Sequence, residues 1–170
     1  MKLEPDNAPP PAATERAQSR DLTAIFERNE VRDTFRISFL ANLLVLPVYD
    51  EIKREHDLSR GEYLLLFCLS HLAELTAQDV ADMTGRPRNS ISRAVHRMLR
   101  DGYLTRSPDP DDGRQAILRI TAKGRRLHKR IVPKFVARES AALSALNSDE
   151  RKTLDRLLAK LVLSNSDGHQ

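Results

Sequence analysis

A chain of 170 residues with no tryptophan, one cysteine and a formal net charge of +4 is long enough to bury a core without metals or disulfides. The single Cys68 excludes an intrachain disulfide framework and a thiolate metal cluster and fits a reducing cytoplasm. The longest apolar run, 39–49, is broken by Asn42 and Pro47 and is too short to span a membrane, so a cytoplasmic chain with no membrane partner is expected.

In chain order, residues 1–20 are rich in Pro and Ala without hydrophobic periodicity and read as a disordered leader. From about 22 to 56 an apolar helical pattern follows, carried by Phe35, Phe39, Leu43 and Leu46, with Pro47 expected to kink it or mark a join. Ser59 with Glu62 three residues on is a capping box that opens a second, nearly all-apolar helix over 60–72. Thr76 with Asp79 opens a short third helix, stopped by Gly85. Pro87 suits the first position of a fourth helix, which runs to Gly102. Two β-rich runs, "YLTR" and "AILRIT", flank a Pro/Asp/Gly connection at 107–115. Thr121 then caps a long helix reaching about 146, with a bend expected at Pro133. Ser148 begins a last helix with Leu154, Leu157, Leu158 and Leu161 on one face. The end, 164–170, reads as a flexible tail.

Charge follows this order unevenly. Residues 76–130 hold thirteen Lys/Arg against six Asp/Glu, leaving the remainder at −3, a footprint suited to a polyanion. Within that stretch, 76–100 reads as a helix-turn-helix. Its second helix sets Ile91, Val95, Met98 and Leu99 on an inward stripe and Arg88, Asn89, Ser92, Arg93 and His96 on the opposite side, with Ser90 beside them. Arg reads guanine edges or phosphates, Asn reads adenine, and small Ser permits close approach. The same spacing also describes the solvated face of an ordinary helix, and spacing alone does not separate the two readings. Arg86, Arg97, Arg106 and Lys123 flank the face as phosphate-contact candidates or plain surface residues.

The hairpin tips the balance. The stretch "DGYLTRSPDPDDGRQAILRITAKG", with Asp112-x-Arg114 at the turn and Thr121-x-x-Gly124 after it, resembles the multiple antibiotic resistance regulator (MarR) family of winged-helix transcription factors; Ile120 stands where the family usually has Leu. The likeness extends over about 30–163. It implies a mainly α fold with a small β-hairpin wing: a winged helix-turn-helix domain at 59–124, and a helical dimerisation region at 21–58 and 125–163. It also implies that Asp112 steers Arg114 into DNA, with Asp109 and Asp111 as turn formers.

Partners follow from the same reading: double-stranded DNA, a second copy of the chain forming a homodimer, and a small-molecule effector. The apolar first helix, the "SAALSAL" stretch and the last helix either form the dimer interface or close the monomer core. The resemblance implies release from a palindromic operator by a small aromatic acid, a phenol or an acyl-coenzyme A thioester. Arg36, Ser38, Phe39, Asn42, Tyr63 and His71 are the effector-binding candidates, the polar ones being equally at home as satisfied core groups. Cys68 reads as a small hydrophobe. No phosphate loop, metal-ligand spacing or nucleophile elbow is present, so neither an enzyme nor a cofactor or metal is expected. The rival from another class is a winged helix used for protein contacts alone.

Overall fold

The computed structural model describes residues 26–110, 112 and 115–166; the expected leader at 1–20, Asp111, Arg114 and the end of the tail at 167–170 lie outside the described residues. Two compact units divide the chain, Met1–Asn42 and Leu43–Gln170. No helix among the described residues is long and apolar enough to cross a membrane.

Helix α1, Arg32–His56, runs through both units. Within the stretch expected to be helical from about 22, Phe26 is helical and a break at 27–31 precedes α1, where the Val31 N–H turns back to Asn29 Oδ1 at 2.9 Å. Such a local side-chain bond offers the backbone an alternative to helix. In the first unit Val31, Phe35, Ile37, Phe39 and Leu40 are all exposed, and the Phe26 and Phe39 rings lie 5.1 Å apart.

In the second unit α1 continues through Pro47 as one helix. A helix-interior proline has no N–H for the carbonyl four residues earlier. Here that carbonyl, Leu43 O, accepts from Arg138 Nε at 3.0 Å instead. Below this point Val48 and Ile52 turn into the core.

Helix α2, Arg60–His71, carries the expected capping box, with Ser59 N–H donating to Glu62 Oε2 at 2.6 Å. It buries Tyr63, Leu65, Leu66, Cys68 and Leu69 and is the centre of the unit. Helix α3, Ala77–Thr84, opens on the Thr76–Asp79 box, and Gly85 at φ 61 closes it. Arg86 N–H reaches back to Ala81 O. Helix α4, Arg88–Arg100, buries Ile91, Ala94, Val95 and Met98. Pro87 sits just outside α4, one position earlier than the sequence suggests.

Gly102 at φ 72 ends α4, with Tyr103 N–H on Met98 O and Gly102 N–H on Leu99 O. This is the left-handed stop that glycine makes without strain, and it sends the chain directly into the hairpin. Strands β1 (Leu104–Pro108) and β2 (Ala116–Ile120) pair antiparallel from Leu104↔Ile120 to Pro108↔Ala116. Leu75 adds a bridge to Leu118. The connection is 109–115, shorter than the expected 107–115, because Ser107 and Pro108 pair rather than turn.

Helix α5, Ala122–Ala142, contains Pro133 and then tightens into a 3-10 turn over Leu143–Ala145. It thus stops short of the expected 146. The last helix, α6, is Ser148–Ser166. Asn147 caps it, its Oδ1 accepting from the Asp149 and Glu150 N–H groups at 3.0 Å each. Residues 164–166, expected as the start of a flexible tail, are helical, with Asn165 Nδ2 donating to Leu161 O.

One core joins these elements: Val48 and Ile52, Leu58, the α2 residues, Val80, Ile91 and Met98, Leu104, Leu118 and Ile120, then Leu127 and Ile131 of α5. Burying each large aliphatic side chain stabilises by about 1.5–3 kcal/mol. Leu157, Leu158, Leu161, Val162 and Leu163 of α6 stay exposed.

Candidate nucleic-acid interface

Burial of Ile91, Ala94, Val95 and Met98 sets which side of α4 faces outward. Arg88, Asn89, Ser92, Arg93 and His96 are consequently all exposed, as their spacing suggests. Arg106 is exposed on β1. Arg88 and Arg106 line one cleft of about 230 Å³ with Thr76, Gln78, Gln115 and Ala116. Two arginines from different elements thus border one opening between helix and hairpin, a proximity that the sequence does not foretell.

Four other candidates stand apart from this exposed set. Ser90 is half-buried and its Oγ lies beside Gly61, 3.8 Å from where a β-carbon would stand. Arg97 turns away from the exposed set into carboxylates: Nη2 bonds Asp57 Oδ2 at 2.7 Å, Nη1 is 3.4 Å from the Glu62 carboxylate, and Nε is 3.5 Å from Asp101. Arg86 is half-buried, and its Nε has no partner among the described residues. Lys123 Nζ donates to Asp101 O at 2.7 Å and lies over the Tyr103 ring.

The wing is braced at its base. Arg119 Nε donates to Glu74 Oε1 at 2.8 Å and Nη1 to Ser107 Oγ at 2.6 Å, tying both strands to the loop before α3. Toward the tip, Asp109 N–H donates to Gln115 O and Gln115 N–H to Asp112 O. Asp109 Oδ1 accepts from Asp112 N–H, which fits its expected turn-forming role. Asp112 Oδ2 accepts from Gln115 Nε2 at 3.0 Å. Gln115, absent from the sequence reading, is therefore a second group that fixes Asp112; Arg114 lies outside the described residues.

The effector candidates fall into both units. In the first, Arg36 pairs with Asp33 at 3.3 Å, and Ser38, Phe39 and Asn42 are exposed. In the second, Tyr63 is buried and stacks on Phe135 at 4.9 Å and on His128 at 5.9 Å. Tyr63 Oη and His128 Nδ1 are buried without hydrogen-bond partners among the described residues. Burial pushes the Tyr63 phenol well above its ordinary range and holds His128 below its own. His71 is exposed and its Nδ1 lies 2.8 Å from Phe67 O, so a backbone carbonyl satisfies it. Sequence reasoning missed His128 and Phe135, because a single His on a helix carries no spacing signal. Cys68 is buried, which raises its thiol pKa and suits the expected hydrophobe.

A family model described as MarR family matches residues 56–115. The HTH-type transcriptional regulator BilQ of Clostridium symbiosum is 36% identical over 111 residues, 65% of this chain and 76% of the relative. A MarR family transcriptional regulator from Listeria monocytogenes, complexed with a 26mer DNA, is 21% identical with a TM-score of 0.70, over 83% of this chain and 91% of that one. BpsR of Bordetella bronchiseptica, whose DNA binding is regulated by 6-hydroxynicotinic acid, is 21% identical with a TM-score of 0.59, over 74% of this chain and 98% of its own. The two structures share the fold, a mainly helical winged helix with a two-stranded hairpin.

Proposed function

Because this chain belongs to the MarR family of DNA-binding transcriptional regulators, we propose that two copies of it hold a palindromic operator as a repressor and let go when a small aromatic acid, or its coenzyme A thioester, binds. The observation that carries the DNA half is the exposed set on α4. Arg88, Asn89, Ser92, Arg93 and His96 share the side of the helix away from its buried stripe. Beside them Arg88 and Arg106 line the same cleft. A helix so presented suits the major groove, and a hairpin beside it suits the backbone or minor groove. Arg114, carried by the family motif, is the proposed wing-tip contact, with Asp112 as its orienter. Arg86 and Ser90 are second-rank candidates, being half-buried.

The apolar faces of α1 and α6 support a homodimer. Leu43 and Leu46, like Leu157, Leu158 and Leu161, are exposed, more apolar surface than a lone copy favours. Twofold pairing would place two α4 helices about one DNA turn apart, roughly 34–36 Å. The effector half of the proposal draws on BpsR, whose DNA binding responds to an aromatic acid. In this chain the hydroxyl of Tyr63 and Nδ1 of His128, unpaired among the described residues, support a polar anchor within an aromatic cluster. Arg36, Ser38, Phe39, Asn42 and His71 remain further candidates.

Fluorescence anisotropy with a labelled duplex from the chain's own upstream region tests the proposal. Each phosphate neutralised adds about −0.9 to the slope of log K against log salt. A steep negative slope, with competition by operator in preference to random duplex, is the expected result. A flat slope, or equal competition by both, refutes it.

A further inference from the structure

The carboxylate cluster around Arg97 has no part in the proposed DNA contacts, yet it touches the helix that makes them. Asp57 follows α1 and occupies the left-handed region at φ 52. Its N–H closes the end of α1 on Lys53 O, and its carboxylate also accepts from Lys53 Nζ at 2.5 Å. Glu62 is buried and already accepts from the Ser59 N–H at the start of α2. Asp101 stands at the end of α4. One guanidinium therefore reaches the joint between α1 and α2 and the last turn of its own helix, and its fixed fork of donors meets all three acids. Two other cations touch the cluster at its edges: Lys53 pairs with Asp57, and Arg100 Nε donates to Asp101 Oδ1 at 3.1 Å.

Resting on the DNA-reading role of α4 proposed above, we propose that Arg97 is a positioning residue for sequence discrimination: it locks the rotation of α4 against the joint between α1 and α2. The buried stripe fixes that rotation only as firmly as apolar packing does, and aliphatic contacts are non-directional. A roll of 20° about a helix of about 5–6 Å radius moves a side-chain tip by roughly 2 Å, enough to break a base-edge hydrogen bond. Contacts with phosphates, made by long flexible cations, tolerate such a shift; bidentate contacts with bases do not. The cluster therefore bears on which sequence is bound rather than on whether DNA is bound.

The informative variant is Asp57→Asn. Asp57 is exposed, and Asn tolerates the left-handed region, so the joint keeps its backbone. Arg97→Lys is its companion, retaining charge and losing the fork. The readout is affinity for a duplex selected by the wild-type chain from a random pool, and for random duplex, with thermal unfolding alongside. Expected is a loss of about fivefold or more on the selected duplex for both variants, the size of one lost base contact, with random-duplex affinity unchanged. Three results overturn it. If Asp57→Asn tightens both duplexes alike, Arg97 is a phosphate contact held in reserve. If both variants melt earlier yet keep the selected-to-random ratio, the cluster serves stability alone. If the wild-type chain prefers no duplex, the reading of α4 fails, and this inference with it.

Discussion

Replacing Gly124 with Ala is the sharpest test of how the wing is hung. Gly124 is the third residue of α5, and a β-carbon there would stand 2.5 Å from Tyr103 O, 2.7 Å from Ile120 Cγ1 and 3.3 Å from Leu66 Cδ2. The nearest atom is backbone and cannot swing aside. It must retreat from 2.5 to about 3.4 Å, roughly 0.9 Å, to reach an ordinary contact. Yet Tyr103 O is the acceptor for the Thr121 N–H at 3.0 Å and lies 3.1 Å from Thr121 Oγ1, which also has Gly102 O at 2.9 Å. Moving it by that much stretches both Tyr103 bonds beyond hydrogen-bond range. Overpacking costs about 1–3 kcal/mol, and each lost bond about 0.5–1.5 kcal/mol. The better helix propensity of Ala returns at most about 1 kcal/mol. The middle of these ranges gives a net loss of about 3 kcal/mol, which for a chain of this size lowers Tm by roughly 6–12 °C. Thermal unfolding followed by far-ultraviolet circular dichroism measures it. A Gly124→Ala protein melting within 2 °C of wild type would refute the close approach of α5 to Tyr103.

Two further outcomes are expected. Arg114→Ala weakens operator binding by more than about tenfold, the loss of a charge-assisted DNA contact, and leaves Tm unchanged; equal affinity in anisotropy titrations rejects the wing-tip role. His128 is held below the ordinary histidine value of 6.5 by burial first and by His71 second, so the unfolded chain takes up its proton before the folded one does. Stability contributed by the neutral ring is present above about pH 6.5 and is lost below it, by at most about 1.4 kcal/mol per pH unit. Glu55 and Asp57, whose carboxyls are held low chiefly by Lys134 and Lys53, act in a separate and more acidic window. Urea midpoints measured from pH 7.5 to 5.5 should fall for wild type and stay flatter for His128→Leu; parallel curves sink the assignment.

What the sequence made legible was local. The capping boxes at Ser59–Glu62 and Thr76–Asp79 and the stops at Gly85 and Gly102 sit where they were read, because each depends on residues within one turn. The exposed set on α4 was legible because burying Ile91, Val95 and Met98 dictates what faces outward. Partners distant in the chain were not legible. Arg97 has the spacing of a flanking phosphate contact, and only the fold brings Asp57, forty positions away, to meet it. Ser90 is close to the exposed set by number, but the rotation of the helix turns it toward Gly61. Nothing in the sequence singles out Gln115, because its hold on Asp112 depends on how the turn closes. Helical spacing tells which side a residue takes; it does not tell what waits there.

The proline in α1 has a consequence for how the chain comes together. Its missing donor is replaced by a guanidinium ninety-five positions downstream of the Leu43 carbonyl left open, so the ladder of α1 is completed by α5. During synthesis α1 emerges with that carbonyl open to water, and it waits for most of the protein to follow before the gap is closed. A truncated product ending before α5 keeps every residue of α1 and still lacks one rung of it.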